Sequence, residues 1–270
     1  MRNYLKKLFT VGLLSVSLCS LFTGCGEQAN NNEHKSLNVI THANWKPFEY
    51  IDKGTAVGFD IDLINAVAEE AGYKINVKDV GWESIFQQIK DKSADVAISG
   101  ITATNERKET FSFTVPYFIS KEAMLVPADS EITSINDLIS EDKTVSVQNG
   151  STAQIAVEKV LGANNPNIKK TALSDQMLLN GQVDALVGDD TSLNEIISNH
   201  PDKNLKIIYD DNAFEPEYFS IMLAKDGNEQ LQKDLNEGLK KVIDSGKYAE
   251  IYKKWFNREP NVDELKKLMN

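Results

Sequence analysis

The stretch Ala94-Asp95-Val96-Ala97-Ile98-Ser99-Gly100-Ile101-Thr102-Ala103-Thr104-Asn105-Glu106-Arg107 carries a strand into a helix through a glycine. Ala94 to Ile98 is a short apolar run, the pattern of a buried strand. Gly100 ends it and lets the backbone come close to something small. A hydroxyl follows at Thr102. Thr104-Asn105-Glu106-Arg107 then reads as a helix start, with a hydroxyl or amide cap and an acid in the first turn. Arg107 presents a planar fork of donors that suits a carboxylate. A lone surface arginine is ordinarily solvated, so the neighbouring segments decide what this one does.

Upstream, strands and helices alternate. Leu37 to Thr41 reads as a strand. Gly58-Phe59-Asp60 leads into Ile61 to Ala68, apolar at helical spacing and closed by Gly72. Lys74 to Val80 alternates like a strand. Trp82 to Lys90 puts Trp82, Ile85, Phe86 and Ile89 on one side of a helix. Such a series predicts a mostly parallel sheet covered by helices.

Downstream, Phe111 to Phe118 breaks the pattern with a proline and aromatics, before an extended run at Ala123 to Val126. A second series begins with a strand at Thr144 to Gln148, a turn and cap at Asn149 to Thr152, and a helix over Ala153 to Leu161. Val183 to Gly188 is a further strand, followed by Asp189-Asp190-Thr191 and a helix to Asn199. Leu205 to Tyr209 and Tyr218 to Ala224 are extended. Helices over Glu229 to Asp244 and Lys247 to Phe256 are split by Gly246. Both halves contain a strand, then glycine and hydroxyl residues, then a helix start. In open α/β sheets, ligands bind outside the carboxyl ends of the strands. Two such sheets face to face would share one cleft.

The first residues address the chain to the outside. Met1 to Lys7 is basic, and Leu8 to Phe22 is apolar but shorter than the roughly 20 residues of a spanning helix. Leu21-Phe22-Thr23-Gly24-Cys25 resembles the lipobox of bacterial lipoproteins. That resemblance implies cleavage after Gly24 and lipid on Cys25, with acyl burial worth about 0.8 kcal/mol per CH2. An ordinary signal peptide with an incidental cysteine is the alternative. Residues 25–36 are too polar to fold and read as a tether. Of the two cysteines, Cys19 leaves with the signal, so no disulfide framework or cysteine metal site is expected. His34, His42 and His200 lack ligand spacing. The formal charge of −11 becomes −14 once Arg2, Lys6 and Lys7 are removed. Such an acidic chain has no electrostatic footprint for nucleic acid.

The remaining signals occur in a specific order. Trp45-Lys46-Pro47-Phe48-Glu49-Tyr50, Gly58-Phe59-Asp60-Ile61-Asp62-Leu63, Gly100 to Arg107, Phe113-Thr114-Val115-Pro116-Tyr117 and Tyr248 to Phe256 follow one another. Together they resemble the family 3 extracellular solute-binding proteins, the polar amino-acid receptors of ABC importers. The likeness spans about residues 37 to 257. It implies an α/β, two-lobed periplasmic-binding-protein-like fold of type II, with two hinge strands. Lobe 1 would comprise residues 37–118 and 219–257, and lobe 2 residues 119–218, with a polar C-terminal tail at 258–270. The crossings would run through Tyr117 to Lys121 and Glu215 to Phe219. Such lobes close on their ligand by hinge motion.

The resemblance also implies roles. Arg107 matches the arginine that clamps the ligand α-carboxylate, and Asp189 the aspartate that takes the α-ammonium. Thr102 and the Gly100 backbone match groups that hold either end. Thr152, or its neighbour Ser151, matches the turn whose amide meets the carboxylate. Trp45 and Trp82 match the aromatic pair beside the side chain, and Gln148 and His42 vary with ligand. From their own surroundings, Trp45 and Trp82 suit a core as well as a cleft, and Asp189 and Asp190 suit helix caps. The chemistry is coherent, because a buried charge is costly unless paired. An amino acid presents one charge of each sign, and Arg107 and Asp189 supply one partner for each.

Two Trp planes and the acids Glu49, Asp190, Glu215 and Glu217 suit a cationic side chain. The expectation is therefore a polar or basic L-amino acid, arginine-like first and glutamine second. A monomer without cofactor or metal, anchored outside the cytoplasm through Cys25 and serving a membrane permease, completes it. Two alternatives stand beside it: a cyclohexadienyl or prephenate dehydratase-like enzyme on the same fold, and a surface adhesin or sensor lipoprotein. The ammonium partner at Asp189 argues against the enzyme.

Overall fold

The computed structural model describes residues 35–269. The signal, Cys25 and nearly all of the tether therefore lie outside the described residues. Strand β1 spans Lys35–Thr41 and pairs in parallel from Lys35 onward. The tether thus ends before Lys35 rather than at residue 36. A small hairpin sheet follows, from β2 (Asn44–Trp45), β3 (Glu49–Asp52) and β4 (Thr55–Val57). Next come α1 (Phe59–Glu70), β5 (Tyr73–Asp79), α2 (Trp82–Lys90), β6 (Val96–Ala97), α3 (Asn105–Thr110) and β7 (Phe111–Phe113). The order β5-β1-β6-β14-β7 makes the first sheet, where β14 (Met222–Ala224) is contributed by the returning chain.

The second sheet begins with the long β8 (Phe118–Pro127). It continues through β9 (Val145–Val147), α4 (Thr152–Leu161), β10 (Ile168–Lys170), α5 (Ser174–Leu179), β11 (Ala185–Asp189), α6 (Asp190–Asn199) and β12 (Leu205–Ile208). Its order is β10-β9-β11-β8-β12. β13 (Pro216–Phe219) pairs antiparallel with the first part of β8, with Pro216 opposite Lys121 and Phe219 opposite Phe118. The chain thus passes between the sheets twice, on paired strands. Each sheet is mixed: β5-β1-β6 and β10-β9-β11 are parallel, whereas β14 and β8 run against their neighbours. Antiparallel pairing enters wherever a strand arrives from, or returns to, the other lobe.

β8 shows how sequence pattern becomes packing. From Glu122 to Val126 every residue is buried. Met124 and Val126 join one apolar cluster, and Ala123 and Leu125 the cluster on the opposite face. Both faces are covered, so Ala123 to Val126 is continuously apolar instead of alternating. Lobe 1 is held largely by aromatics: Phe48, Phe59, Phe118 and Phe219 share a core with Leu235 and Leu239 of α7 (Glu229–Asp244) and with Tyr248 and Tyr252 of α8 (Lys247–Phe256). Phe118 and Phe219, from the two crossing strands, stack with ring centroids 5.6 Å apart. Both crossings are thereby rooted in lobe 1.

The segment 258–270 is more than a polar tail. It forms α9 (Val262–Leu268), and Leu265 is buried in the lobe 1 core. Val262, Leu265 and Met269, spaced three and four residues apart among charges, form an amphipathic face that composition alone hides. No helix among the described residues is long and apolar enough to cross a membrane.

Candidate functional site

Between the lobes lies a cavity of about 610 Å³. That is the size class of small-molecule sites, about 300–1,000 Å³. Its first wall comes from the carboxyl ends of β1 and β6 and from the hairpin sheet. Gly100 has φ +54, and a Cβ there would stand 2.0 Å from Cζ3 of Trp45. Glycine therefore seats the indole directly on the turn. The Gly100 N–H donates to Asp60 Oδ2 at 2.9 Å and to the Tyr117 hydroxyl at 3.2 Å. With the amide committed, Gly100 can offer a ligand its carbonyl. Trp45 stacks on Phe48, centroids 4.4 Å apart, and keeps its other side to the cavity.

Arg107 sits in the first turn of α3, whose cap is the Thr104 hydroxyl accepting from the Arg107 N–H at 3.1 Å. The capping pattern in the sequence placed this side chain correctly at the turn. Its guanidinium lies over Phe86 at 5.0 Å and Trp82 at 5.7 Å. Nη1 donates to the Thr102 carbonyl at 3.0 Å, and Nη2 reaches across to the Gly150 carbonyl of lobe 2 at 3.1 Å. Two of its five donors are thus held by backbone, which fixes the fork while leaving donors for an anion. Burial lowers its pKa from the ordinary value, opposed chiefly by Glu217. Trp82, the first residue of α2, lines the cavity, and its Nε1–H has no partner.

The second wall comes from lobe 2. Ser151 caps α4, accepting from the Gln154 N–H at 3.1 Å and donating to the Gln148 carbonyl at 2.8 Å. This turn brings Gln148, Ser151 and Thr152 onto the cavity. Asp189 occupies the cap position of α6 but makes no side-chain cap bond. Its carboxylate accepts from the Ser120 hydroxyl at 2.6 Å and lines the cavity. The alternative of a plain helix cap is thereby removed. Burial, with Glu217 nearby, pushes the Asp189 carboxyl up to about 8.

Of the remaining expected residues, His42 also lines the cavity, with Nδ1 at 3.1 Å from the Val80 carbonyl. A carbonyl can only accept, so Nδ1 carries the proton. Thr102 stands beside the cavity rather than in its wall; its hydroxyl donates to Glu217 Oε2 at 2.6 Å. Glu49 is fully buried, lines the cavity and accepts from the Ser99 hydroxyl at 2.6 Å. Asp190, Glu215 and Glu217 are not in the wall.

Glu122 was not foreseen. It is 2% exposed, lines the cavity, and its Oε1 lies 2.9 Å from the Thr152 hydroxyl. Burial raises its pKa well above the carboxylate range, and Asp189 and Glu217 add to the effect. One oxygen from each of Glu122, Asp189 and Glu217 falls within 4.8 Å of the others. A signal did exist: an acid heading the buried run Ala123 to Val126 is costly unless something pairs with it. Glu49 Oε2, Glu122 Oε2 and Ser192 Oγ join Trp82 Nε1 as buried cavity-lining atoms without a partner. A wall with stranded donors and acceptors of both kinds suits a small polar molecule carrying both charges.

The sequence signature of the bacterial extracellular solute-binding proteins, family 3, matches residues 37–258. The chain belongs to that family. This solute-binding protein is 34% identical to the probable histidine-binding protein of Neisseria gonorrhoeae, over 96% of this chain and 97% of that one. It is 32% identical to the arginine-binding extracellular protein ArtP of Bacillus subtilis, over 92% and 98%. Among solved structures it resembles the arginine-, lysine-, histidine-binding protein ArtJ of Geobacillus stearothermophilus. The TM-score is 0.81 at 44% identity, covering 86% of this chain and all of that one. The solute-binding protein thus has the two-lobed family fold, and its family places it outside the cytoplasm.

Proposed function

We propose that this solute-binding protein captures one polar or basic L-amino acid in the inter-lobe cavity and delivers it to the permease of an ABC importer. Arginine-like ligands come first and glutamine second. The observation that carries the reading is Arg107 and Asp189 facing one cavity from opposite lobes. Arg107 clamps the α-carboxylate and Asp189 holds the α-ammonium, each charge meeting its opposite. Closure on an amino acid satisfies both; closure on nothing buries two charges at several kcal/mol. That differential favours the closed state when ligand is present. The α4 turn, through Thr152 or its neighbour Ser151, presents a backbone amide to the carboxylate, and Trp45 and Trp82 flank the side chain. Gln148 and His42 read its far end. Asp175 and Glu195 also line the cavity and add negative charge. This supports a cationic side chain, in line with the histidine and arginine named in the relatives. Lipid on Cys25 holds the protein at the membrane beside its permease. The protein works by binding and release, without turnover.

A thermal-shift panel of all twenty amino acids tests the reading. A ligand at about 100 times its Kd should stabilise by about 2.7 kcal/mol. Arg107→Ala should abolish the response. A flat panel with the intact protein sinks the assignment, and a retained response in the variant shows that the carboxylate clamp is elsewhere.

A further inference from the structure

The acids of the second wall make one hydroxyl contact too many for their protons. The Thr152 Oγ1 lies 2.9 Å from Glu122 Oε1 and 3.0 Å from Glu217 Oε2. A threonine hydroxyl has one proton to donate. Glu217 Oε2 already takes the Thr102 hydroxyl at 2.6 Å. Both Thr152 contacts are hydrogen bonds only if a carboxyl supplies the second proton. Glu122, the most buried of the three acids, is the natural holder. Its O–H then donates to Thr152, and Thr152 donates to Glu217. The other Glu122 oxygen, Oε2, is buried and without a partner, on a residue of the cavity wall.

The three carboxylates are close enough to act on one cation. An oxygen of each falls within 4.8 Å of the others, and three acceptors around one ammonium, at charge-assisted distances near 2.8 Å, lie about 4.6 Å apart.

We propose that Glu122, with Glu217 behind it, completes the ammonium subsite begun by Asp189, and that the ligand ammonium enters by displacing a proton held on Glu122. This rests on the amino-acid reading above. The exchange is balanced: the Glu122 O–H bond breaks, its proton leaves to solvent, and the carboxylate accepts an N–H from the ammonium. Arg107 faces the same acids from α3, and Asp190 stands beside Asp189 on α6. Lys121, next to Glu122 on β8, is drawn away to Asp211. The arriving ammonium sits in contact with the cluster, whereas the ligand carboxylate is spent on Arg107. Distance therefore favours release of a proton over uptake. The raised pKa values of Glu122 and Asp189 agree with a proton resident near neutral pH.

Calorimetry of L-arginine binding in phosphate and in Tris at pH 6.5 measures the exchange. The enthalpies should differ by the amount expected for about one proton released, and Kd should fall by about tenfold per pH unit between pH 6 and 7. Glu122→Gln mimics the protonated acid and should flatten both dependences. Clear binding with equal enthalpies in the two buffers overturns the proton exchange and leaves the amino-acid site standing. A variant that keeps the full pH dependence overturns the assignment to Glu122. If L-arginine, L-histidine and L-glutamine all give no heat, both this inference and the reading beneath it fall. Should the variant not fold, the two-buffer measurement on the unmodified protein decides alone.

Discussion

Both walls of the cavity contain buried acids, and they behave differently. In lobe 1, Glu49 and Asp60 are fully buried beneath the Gly100 turn. Asp60 Oδ2 takes the Tyr117 hydroxyl at 2.7 Å and the Gly100 N–H at 2.9 Å, and Glu49 takes Ser99. Burial pushes Asp60 up to about 7 and Glu49 well above its usual range, the nearby Asp60 carboxyl adding to the Glu49 shift. These donors all come from lobe 1, so the pair is a frame that holds a turn. In lobe 2, Glu122, Asp189 and Glu217 share hydroxyls from Ser120, Thr152 and, across the cleft, Thr102. Glu122 and Asp189 line the cavity, and their cluster draws its donors from both lobes. Buried acids whose donors all lie within one lobe build structure; acids whose donors come from both sides of a cleft are available to a ligand.

The largest effect should come from Asp60→Ala. It strands the Tyr117 hydroxyl proton and takes from the Gly100 amide the shorter of its two acceptors, and a buried orphan costs about 1–3 kcal/mol. Chemical denaturation should show a loss of about 3 kcal/mol or more. A near-neutral result would break the distinction by making the lobe 1 pair as dispensable to folding as a binding group.

The second effect is in the pH dependence of stability. Asp60 and Asp189 have folded pKa values raised to about 7 and about 8. An acid with a raised folded pKa binds more protons folded than unfolded across the interval between the two values. Its contribution is therefore full at low pH and is lost as pH rises. The melting temperature without ligand should fall between about pH 4 and pH 8. Asp189→Asn should flatten the upper part of that curve while weakening L-arginine binding by about tenfold, since an amide still accepts one neutral hydrogen bond. Undiminished L-arginine binding in this variant would place Asp189 in the structural class with Asp60.

The smallest is Tyr117→Phe. It removes one of the two donors to Asp60 and leaves the Gly100 amide in place. A loss of about 1 kcal/mol in denaturation is expected, with ligand affinity moving little. A large change in affinity would show that the lobe 1 frame also reads the ligand.

Much of the site was legible in local sequence, for local reasons. Thr104 and Ser151 announce helix starts because caps are made within three residues, and those caps carry Arg107 and Thr152 to the cleft. Asp189 looked ambiguous because cap and ligand partner share the same residue type. Ser120, sixty-nine residues away, draws the carboxylate off the helix end, so it makes no cap bond to α6. Glu122 was hidden for the same reason: its partners Thr152 and Glu217 come from other strands and turns. The hairpin sheet that carries Trp45 was missed because its strands are two to four residues long, too short for periodicity to show.

By itself the sequence determined the alternation of strands and helices, the two glycine–hydroxyl turns, the cap residues and the ordered motifs of the family. All of these are set by contacts a few residues apart or by signatures read in order. The tertiary structure alone decided which acids meet. Glu122, Asp189 and Glu217 are far apart in the chain, and nothing in local propensity records that β8, β11 and β13 bring their oxygens within 4.8 Å. Electrostatic environment depends on distance in space, and that distance exists only once the chain has passed twice between its lobes.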